Sequence, residues 1–425
     1  MGKKVLVIGQ GGREHALVWK LAQSPDIDKL YAAPGNPGMA QLAECVDISA
    51  DDIGGLLEFA RREGMDLTVV GPEAPLMEGI VDQFTVAGLK IFGPSAAAAR
   101  LEGSKVFTKQ LLNKYGIPTA RFEVCENSEA AHKAARYYID QDRPVVLKAD
   151  GLAAGKGVVV TADGHEAAEA IEAMMNQLTF GQAGERIVVE ECLTGEELSV
   201  FTLCDGKDFL TLLTAQDHKR VFDNDEGPNT GGMGAYVNPP VYTPELKEVI
   251  ESQIVAPVIA AMQEEGYPYQ GVLYTGLMLT ADGPQVLEFN ARFGDPETQV
   301  LMPAIKGDLL PLLEACADGT LGGCQVELEA NACVGVVLAS GGYPGEYIKG
   351  KLIEGLQQLA EDTMVFHAGT AVIDGKLVTN GGRVLAVVCR GRDNFEAIQK
   401  VYKEVEKIRF DGMHYRRDIA RRSLR

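Results

Sequence analysis

The chain has 425 residues, 46% of them hydrophobic and 24% charged, an ordinary composition for a soluble globular protein with length for two to four domains. Its 40 Lys+Arg against 60 Asp+Glu leave a formal charge of −20, which speaks against a nonspecific nucleic-acid binder while allowing a local basic pocket for phosphates. The eight cysteines form no C-x-x-C pair and no zinc-spaced cluster, as expected of single thiols in a reducing compartment, and no stretch approaches the ~18 apolar residues of a membrane span.

Residues 1–9 run directly into an apolar strand, 5–8, without the anatomy of a signal peptide, so a cytoplasmic location is expected. Gly9-Gln10-Gly11-Gly12-Arg13-Glu14-His15 follows, then helical spacing over 16–22. Strand, glycine turn and helix is the geometry in which free amides at a helix start receive an anion. The glycines are not spaced as G-x-G-x-x-G, so a phosphate is expected rather than a dinucleotide, with Arg13 adding a charged fork. A tight turn without ligand is the alternative. Further strands at 30–33, 67–70 and 90–92 each end in a Gly/Pro turn: Pro34-Gly35-Asn36-Pro37-Gly38, Gly71-Pro72-Glu73 and Gly93-Pro94-Ser95. With helices between them, for example 54–63 and 76–87, they predict a small open parallel α/β sheet whose ligand binds outside the carboxyl ends of the strands.

A second unit starts near Leu101, where Gly103-Ser104-Lys105 opens a helix. Residues 144–160 place two β-rich runs around a small-residue connection with Gly155-Lys156-Gly157, and Lys148 ends the first run. This predicts a hairpin whose mobile tip closes over a triphosphate, with Lys148 as a point charge on phosphate. No Walker sequence occurs. An amphipathic helix at 166–177 leads to a strand at 186–190 and an acidic connector, Glu190 to Glu197. Free backbone groups there suit an adenine edge, and an acid shortly afterwards suits ribose hydroxyls; a solvated acidic turn is the plainer alternative. Residues 215–236 are dense in charge, glycine and amides with little periodicity, which predicts a long binding loop.

The stretch at 286–299 brings Glu288, Asn290 and Arg292, spaced by two along a strand. Side chains two apart on a strand point the same way, so a carboxylate, a carboxamide and a guanidinium share one face. Such a set suits magnesium bridging phosphates, although an edge strand with a solvated polar face alternates in the same way. Residues 271–278 are its expected hairpin partner. From about 330, strands at 332–339, 363–368, 377–380 and 384–389 and a helix at 393–407 predict a compact α+β unit that closes the site.

Early lysine, lysine with glycine loop, acidic connector and E-x-N-x-R, in this order, resemble the ATP-grasp superfamily. Three stretches sharpen the resemblance to its glycinamide ribonucleotide synthetase family: Gly11-Gly12-Arg13-Glu14-His15, Gln216 to Tyr236 with its Gly-Pro-Asn-Thr-Gly-Gly-Met-Gly core, and Arg292-Phe293-Gly294-Asp295-Pro296-Glu297. The resemblance implies an N-terminal parallel domain over 1–100, an ATP-grasp domain over 101–325 with a lid at about 121–192, and a C-terminal α+β domain over 326–425. It implies ATP with Mg2+ or Mn2+, glycine and 5-phosphoribosylamine as substrates, and a glycyl phosphate intermediate. Carried over, Lys105, Lys148 and the Gly155-Lys156-Gly157 loop take ATP phosphates; Glu190, Glu191 and Leu193 meet adenine, and Glu197 the ribose. Glu288 and Asn290 hold the metal, while Arg292, Lys219 and Asp217 serve the transfer. Gly11, Gly12, Arg13, Glu14, Asn36, Glu73, Gly294, Asp295 and Pro296 line the substrate end. The superfamily commonly has another metal carboxylate about a dozen residues before Glu288, where this chain reads Thr275-Gly276. A monomer is expected. Other ATP-grasp ligases and a non-enzymatic nucleotide-binding protein are the competing readings.

Overall fold

The computed structural model describes residues 2–152, 157–177, 179, 181–329 and 332–424. Among them, five parallel strands form an N-terminal sheet in the order Glu44–Cys45, Ile27–Pro34, Lys3–Gly9, Leu67–Val70, Ile91–Phe92. Val5, Leu6, Val7 and Ile8 are fully buried, as expected of a central parallel strand covered on both faces. The edge strand Glu44–Cys45 was not anticipated: it has two exposed residues and so no burial pattern to read. The helix expected at 76–87 is two helices, Glu73–Met77 and Ile80–Val86, parted at Gly79 with φ +82°, a conformation glycine adopts without a Cβ penalty.

A second sheet of eight antiparallel strands runs Gly283–Asn290, Gln270–Thr280, Glu196–Asp205, Phe209–Asp217, Gly234–Val237, Ala332–Ala339, Arg383–Gly391, Met364–His367. The C-terminal strands therefore continue the central sheet instead of forming one of their own. Gly234–Val237 is buried along its length, and a buried strand needs hydrogen-bond partners on both edges. It finds them in Phe209–Asp217 and Ala332–Ala339. The N-terminal sheet, the central sheet and the C-terminal unit share one apolar core, with Val5, Leu17, Phe201, Leu213, Val300 and Phe366 among its members.

The segment expected as a long loop at 215–236 is largely paired. Arg220–Phe222 and Glu226–Asn229 form a ribbon, turning at Asn224 with φ +60°. Val221 anchors it in the C-terminal core, and ion pairs hold its turn: buried Arg416 meets Asp225 at 2.8 Å and Asp418 at 2.7 Å, and Asn224 donates its amide to Asp418.

The strands Phe122–Cys125, Ile187–Glu191, Val145–Ala149 and Val158–Thr161 form an antiparallel sheet in that order. Helices Ser128–Ile139 and Gly164–Ile171 pack on it around a separate core that includes Ala131, Ala135, Val145, Leu147, Ile171 and Val189. A unit with its own core can move against the rest at small cost.

Candidate active site

A cavity of about 430 Å³ opens where the N-terminal sheet, the central sheet and the four-stranded unit meet. Twelve of the residues singled out from sequence border it: Arg13, Glu73, Lys105, Lys148, Gly157, Asp217, Lys219, Glu288, Asn290, Arg292, Gly294 and Asp295.

Glu288 and Asn290 come from the edge strand Gly283–Asn290, so the plain edge-strand reading is right about its place in the sheet; the face is nonetheless half-buried against the cavity. Burial would raise the Glu288 carboxyl, but Lys219, Lys148, Lys105 and Arg292 outweigh it and hold the group below the usual carboxylate range. An ionised carboxylate beside a carboxamide oxygen fits a hard divalent cation that takes its remaining oxygens from phosphates and water. Among the described residues no cluster of three or more His, Cys, Asp or Glu side chains has metal-binding geometry; the oxygen donors this face of the strand presents are those of Glu288 and Asn290. Gly276 lies directly across from Glu288 and offers none.

Arg292 gathers the junction. Its guanidinium lies 3.3 Å from Glu73 of the N-terminal unit and 3.0 Å from buried Glu102, and donates to Asn290 Oδ1 at 3.3 Å. Lys105 donates to the Gly151 carbonyl at 2.9 Å, and Lys148 to the Leu287 carbonyl at 3.1 Å while pairing with Glu190 at 3.1 Å. Lys219 pairs with Glu197 at 2.8 Å.

Across the cavity sits a carboxylate group that sequence reasoning missed in part. Glu297, at the start of helix Glu297–Ala304, is buried. That burial, reinforced by the charge of Asp217, pushes its carboxyl up to about 7. Asp217 is itself raised by burial, with Glu197 and Glu288 opposing the pull of Lys219. Glu102, Lys109, Tyr274 and Arg383 also border the cavity. None of the four was singled out from sequence, although Lys109 stands one helical turn after Lys105. Arg383 arrives from the C-terminal strands, pairing with Asp295 at 3.3 Å and donating to its carbonyl at 2.8 Å.

The glycine turn differs from expectation. The Gly11 amide, expected to meet a phosphate, donates to Glu14 Oε2 at 2.7 Å, and Glu14 Oε1 pairs with Arg13. The Glu14 side chain fills the space that a Cβ at Gly9 or Gly71 would need. The physical reason is a capping interaction: an acid three residues past the N-cap reaches back to its amide. Arg13 points onward, donating to the Phe293 carbonyl at 3.3 Å and lying 4.0 Å from Glu73. Gly12 lies against Gln299 and Pro296 against Gly232, and neither Gly12 nor Pro296 lines the cavity.

Other expected residues stand back from the cavity. The Asn36 amide donates to the Gln10 and His367 carbonyls, and its oxygen accepts from the Gly38 and Met39 amides, so its capacity is spent on holding the turn to the C-terminal unit. The Glu191 carboxylate turns to the Arg121 amide and Arg143. Glu190 reaches the site through Lys148, and Glu197 through Lys219. Leu193 lies half-buried in the connector between Ile187–Glu191 and Glu196–Asp205. Gly155 and Lys156 lie outside the described residues.

Models of the three domains of phosphoribosylglycinamide synthetase match most of the chain: the N domain over residues 3–102, the ATP-grasp (A) domain over 103–298 and the C domain over 333–422. A phosphoribosylamine–glycine ligase of Caldanaerobacter subterraneus subsp. tengcongensis is 52% identical, covering 98% of this chain and 99% of its own length. One from Agrobacterium fabrum is 52% identical over 98% of each chain. The crystal structure of the phosphoribosylamine–glycine ligase of Thermotoga maritima superposes with a TM-score of 0.83 at 38% identity, covering 98% of this chain and 100% of that one. The biotin carboxylase domain of a Hydrogenobacter thermophilus 2-oxoglutarate carboxylase, solved with MgADP, shares the fold at a TM-score of 0.74 and 17% identity, over 97% of this chain and 91% of that one. The chain belongs to the phosphoribosylglycinamide synthetase family of ATP-grasp enzymes, ATP-dependent ligases of de novo purine biosynthesis that join glycine to 5-phosphoribosylamine.

Proposed function

We propose that the cavity performs this ligation through glycyl phosphate, with Mg2+ or Mn2+ as the working ion. ATP lies with its phosphates between Lys105, Lys148 and the Gly155-Lys156-Gly157 loop, its adenine along the Glu190, Glu191 and Leu193 backbone, and its ribose toward Glu197. Glu288 and Asn290 hold the divalent ion, which when bound neutralises phosphate charge and orients the terminal phosphoryl group. Arg292, Asp217 and Lys219 serve the transfer. Gly11, Gly12, Arg13, Glu14, Asn36, Glu73, Gly294, Asp295 and Pro296 shape the phosphoribosylamine end, with Arg13 facing the substrate and Asn36 and Glu14 holding the turn. Domain boundaries follow at 1–100, 101–325 with a lid at 121–192, and 326–425, in a monomeric cytoplasmic enzyme.

A carboxylate is a poor acyl donor, and phosphorylation by ATP turns one of its oxygens into a leaving group. The amine of phosphoribosylamine then attacks the glycyl carbonyl and phosphate departs. Lys148, Lys219 and Arg292 offset the charge that builds on the transferring phosphoryl group, the chief task of a protein in such reactions. Asp217 attracts the glycine ammonium. Glu297, poised near neutrality, accepts the proton that the attacking amine loses, where a group matched to the operating pH works best. A closed four-stranded unit keeps water from the acyl phosphate.

The observation that supports this reading most is Arg292, one guanidinium spanning the N-terminal unit through Glu73 and the strand Gly283–Asn290 through Asn290. The test is ADP release with ATP, magnesium, glycine and phosphoribosylamine formed in situ, omitting each in turn. Turnover needing both glycine and the amine, and abolished by Glu288→Ala, is the expected result. ADP release with neither present, or with another carboxylate in place of glycine, would sink the residue assignments.

A further inference from the structure

Lys109, on helix Lys105–Lys114, is almost wholly buried, at 2% exposure. Its ammonium lies 3.0 Å from Glu190 Oε2, and Lys148 reaches the same oxygen at 3.1 Å. Two ammonium groups thus share one carboxylate oxygen, while Glu190 Oε1 is buried without a partner among the described residues.

The two lysines are not equivalent. Lys109 is fixed: it also donates to Thr119 Oγ1 at 2.6 Å, and that hydroxyl donates to the Val286 carbonyl at 2.7 Å. Lys148 stands on Val145–Ala149 of the four-stranded sheet, beside the strand that bears Glu190. Its other bond is a single carbonyl, Leu287. An anionic phosphate in the cavity competes with Glu190 for Lys148. A buried carboxylate stripped of its counter-charge is costly, so Lys148 is free to turn only if Glu190 keeps another cation.

We propose that Lys109 is a positioning residue for nucleotide binding: it keeps Glu190 neutralised, so that Lys148 can leave that carboxylate for the phosphates of ATP. The inference rests on the assignment of Lys148 to the nucleotide. Burial, opposed by Glu190 and reinforced by Lys148, brings the Lys109 ammonium down to about 8, as expected of two cations crowding one carboxylate. The Lys109–Glu190 pair also crosses from the body of the protein to the four-stranded unit, so it keeps the two in register while Lys148 changes partner.

The experiment is equilibrium binding of MgATP and MgADP to the full chain, without glycine or amine, for wild type, Lys109→Met, Lys109→Arg and the double variant Lys109→Met/Glu190→Gln. Without Lys109, Lys148 becomes the sole counter-ion of Glu190, and nucleotide affinity falls about tenfold or more. The KM for ATP rises with it, and the KM for glycine stays as in wild type. Lys109→Arg retains most of the affinity. The double variant recovers most of what Lys109→Met lost, because no carboxylate then competes for Lys148. A purely structural role predicts no such recovery. If Lys109→Met is too unstable to purify, Lys109→Gln makes the same comparison without the charge. Wild-type affinity in the neutral variant, or a double variant that binds no better than the single one, overturns the proposal. Failure of the wild-type chain to bind either nucleotide overturns instead the nucleotide assignment beneath it.

Discussion

At the scale of single residues, environment rather than residue type decides what each carboxylate can do. Glu288 and Glu297 have the same side chain, yet the lysines around the first hold it ionised, whereas burial and the charge of Asp217 push the second up to about 7. Glu297 therefore links folding to pH. Its folded value lies above the ordinary carboxylate value, so the fold favours the protonated form. The stability it confers is present in acid and is lost as pH rises from about 4.5 through 7. Glu297→Gln, which cannot ionise, removes that loss. Its melting temperature relative to wild type should be higher at pH 8 than at pH 5, while its ligase turnover falls by about 10²-fold as expected for a missing proton acceptor. Equal pH profiles for the two proteins would show that Glu297 is ionised throughout.

Among elements, the ribbon Arg220–Phe222 with Glu226–Asn229 bears the greatest consequence. It precedes Thr230 and Gly231 in the cavity wall, and apart from buried Val221 its residues are exposed. Besides Val221, what holds it is Arg416, 1% exposed, bonded to Asp225, Asp418 and the Arg220 carbonyl. Removing a buried cation from partly exposed acids costs less than breaking a fully buried pair, so Arg416→Met should destabilise the chain by about 2 kcal/mol. It should also expose the ribbon to proteolysis at 220–229. Denaturant midpoints and limited digestion measure both, and an unchanged digestion pattern would mean that backbone pairing and buried Val221 secure the ribbon.

Across the whole molecule, the N-terminal and C-terminal units meet beside the glycine turn. The His367 amide donates to His15 Nδ1 at 2.8 Å, and the single tryptophan, Trp19, packs edge-on against Phe366 at 6.0 Å. Burial lowers His15 to about 3, helped by neighbouring His367, which burial lowers to about 4. Both are neutral in the fold and bind protons more readily when it opens. The stability they confer is complete above the ordinary histidine value and is lost as pH falls through about 6.5 toward 4. Tryptophan fluorescence should report this interface opening reversibly between about pH 6 and pH 4. His15→Phe should shift the transition to lower pH, and a transition unmoved by that change would place its origin elsewhere.

What was legible in the sequence depended on local periods. The apolar runs 5–8 and 67–70 announce parallel strands because such strands are buried on both faces. Glu288 and Asn290 share a face because strand side chains alternate, and Lys148 ends its strand where expected. The identity of the ligase follows from linear motifs, above all Arg292-Phe293-Gly294-Asp295-Pro296-Glu297. Tertiary structure alone decided the rest. Glu14 fills the glycine turn because three elements close around it, and Arg383 reaches Asp295 from nearly ninety residues away in sequence, because helix Glu297–Ala304 packs on the C-terminal strands. Glu102, Lys109 and Tyr274 join the cavity from helices and strands whose local patterns read as ordinary core. The near-neutral carboxyl of Glu297 is a property of its neighbours. Periodicity reports which face a side chain takes, but burial, charge pairing and pKa depend on what the fold brings against that face.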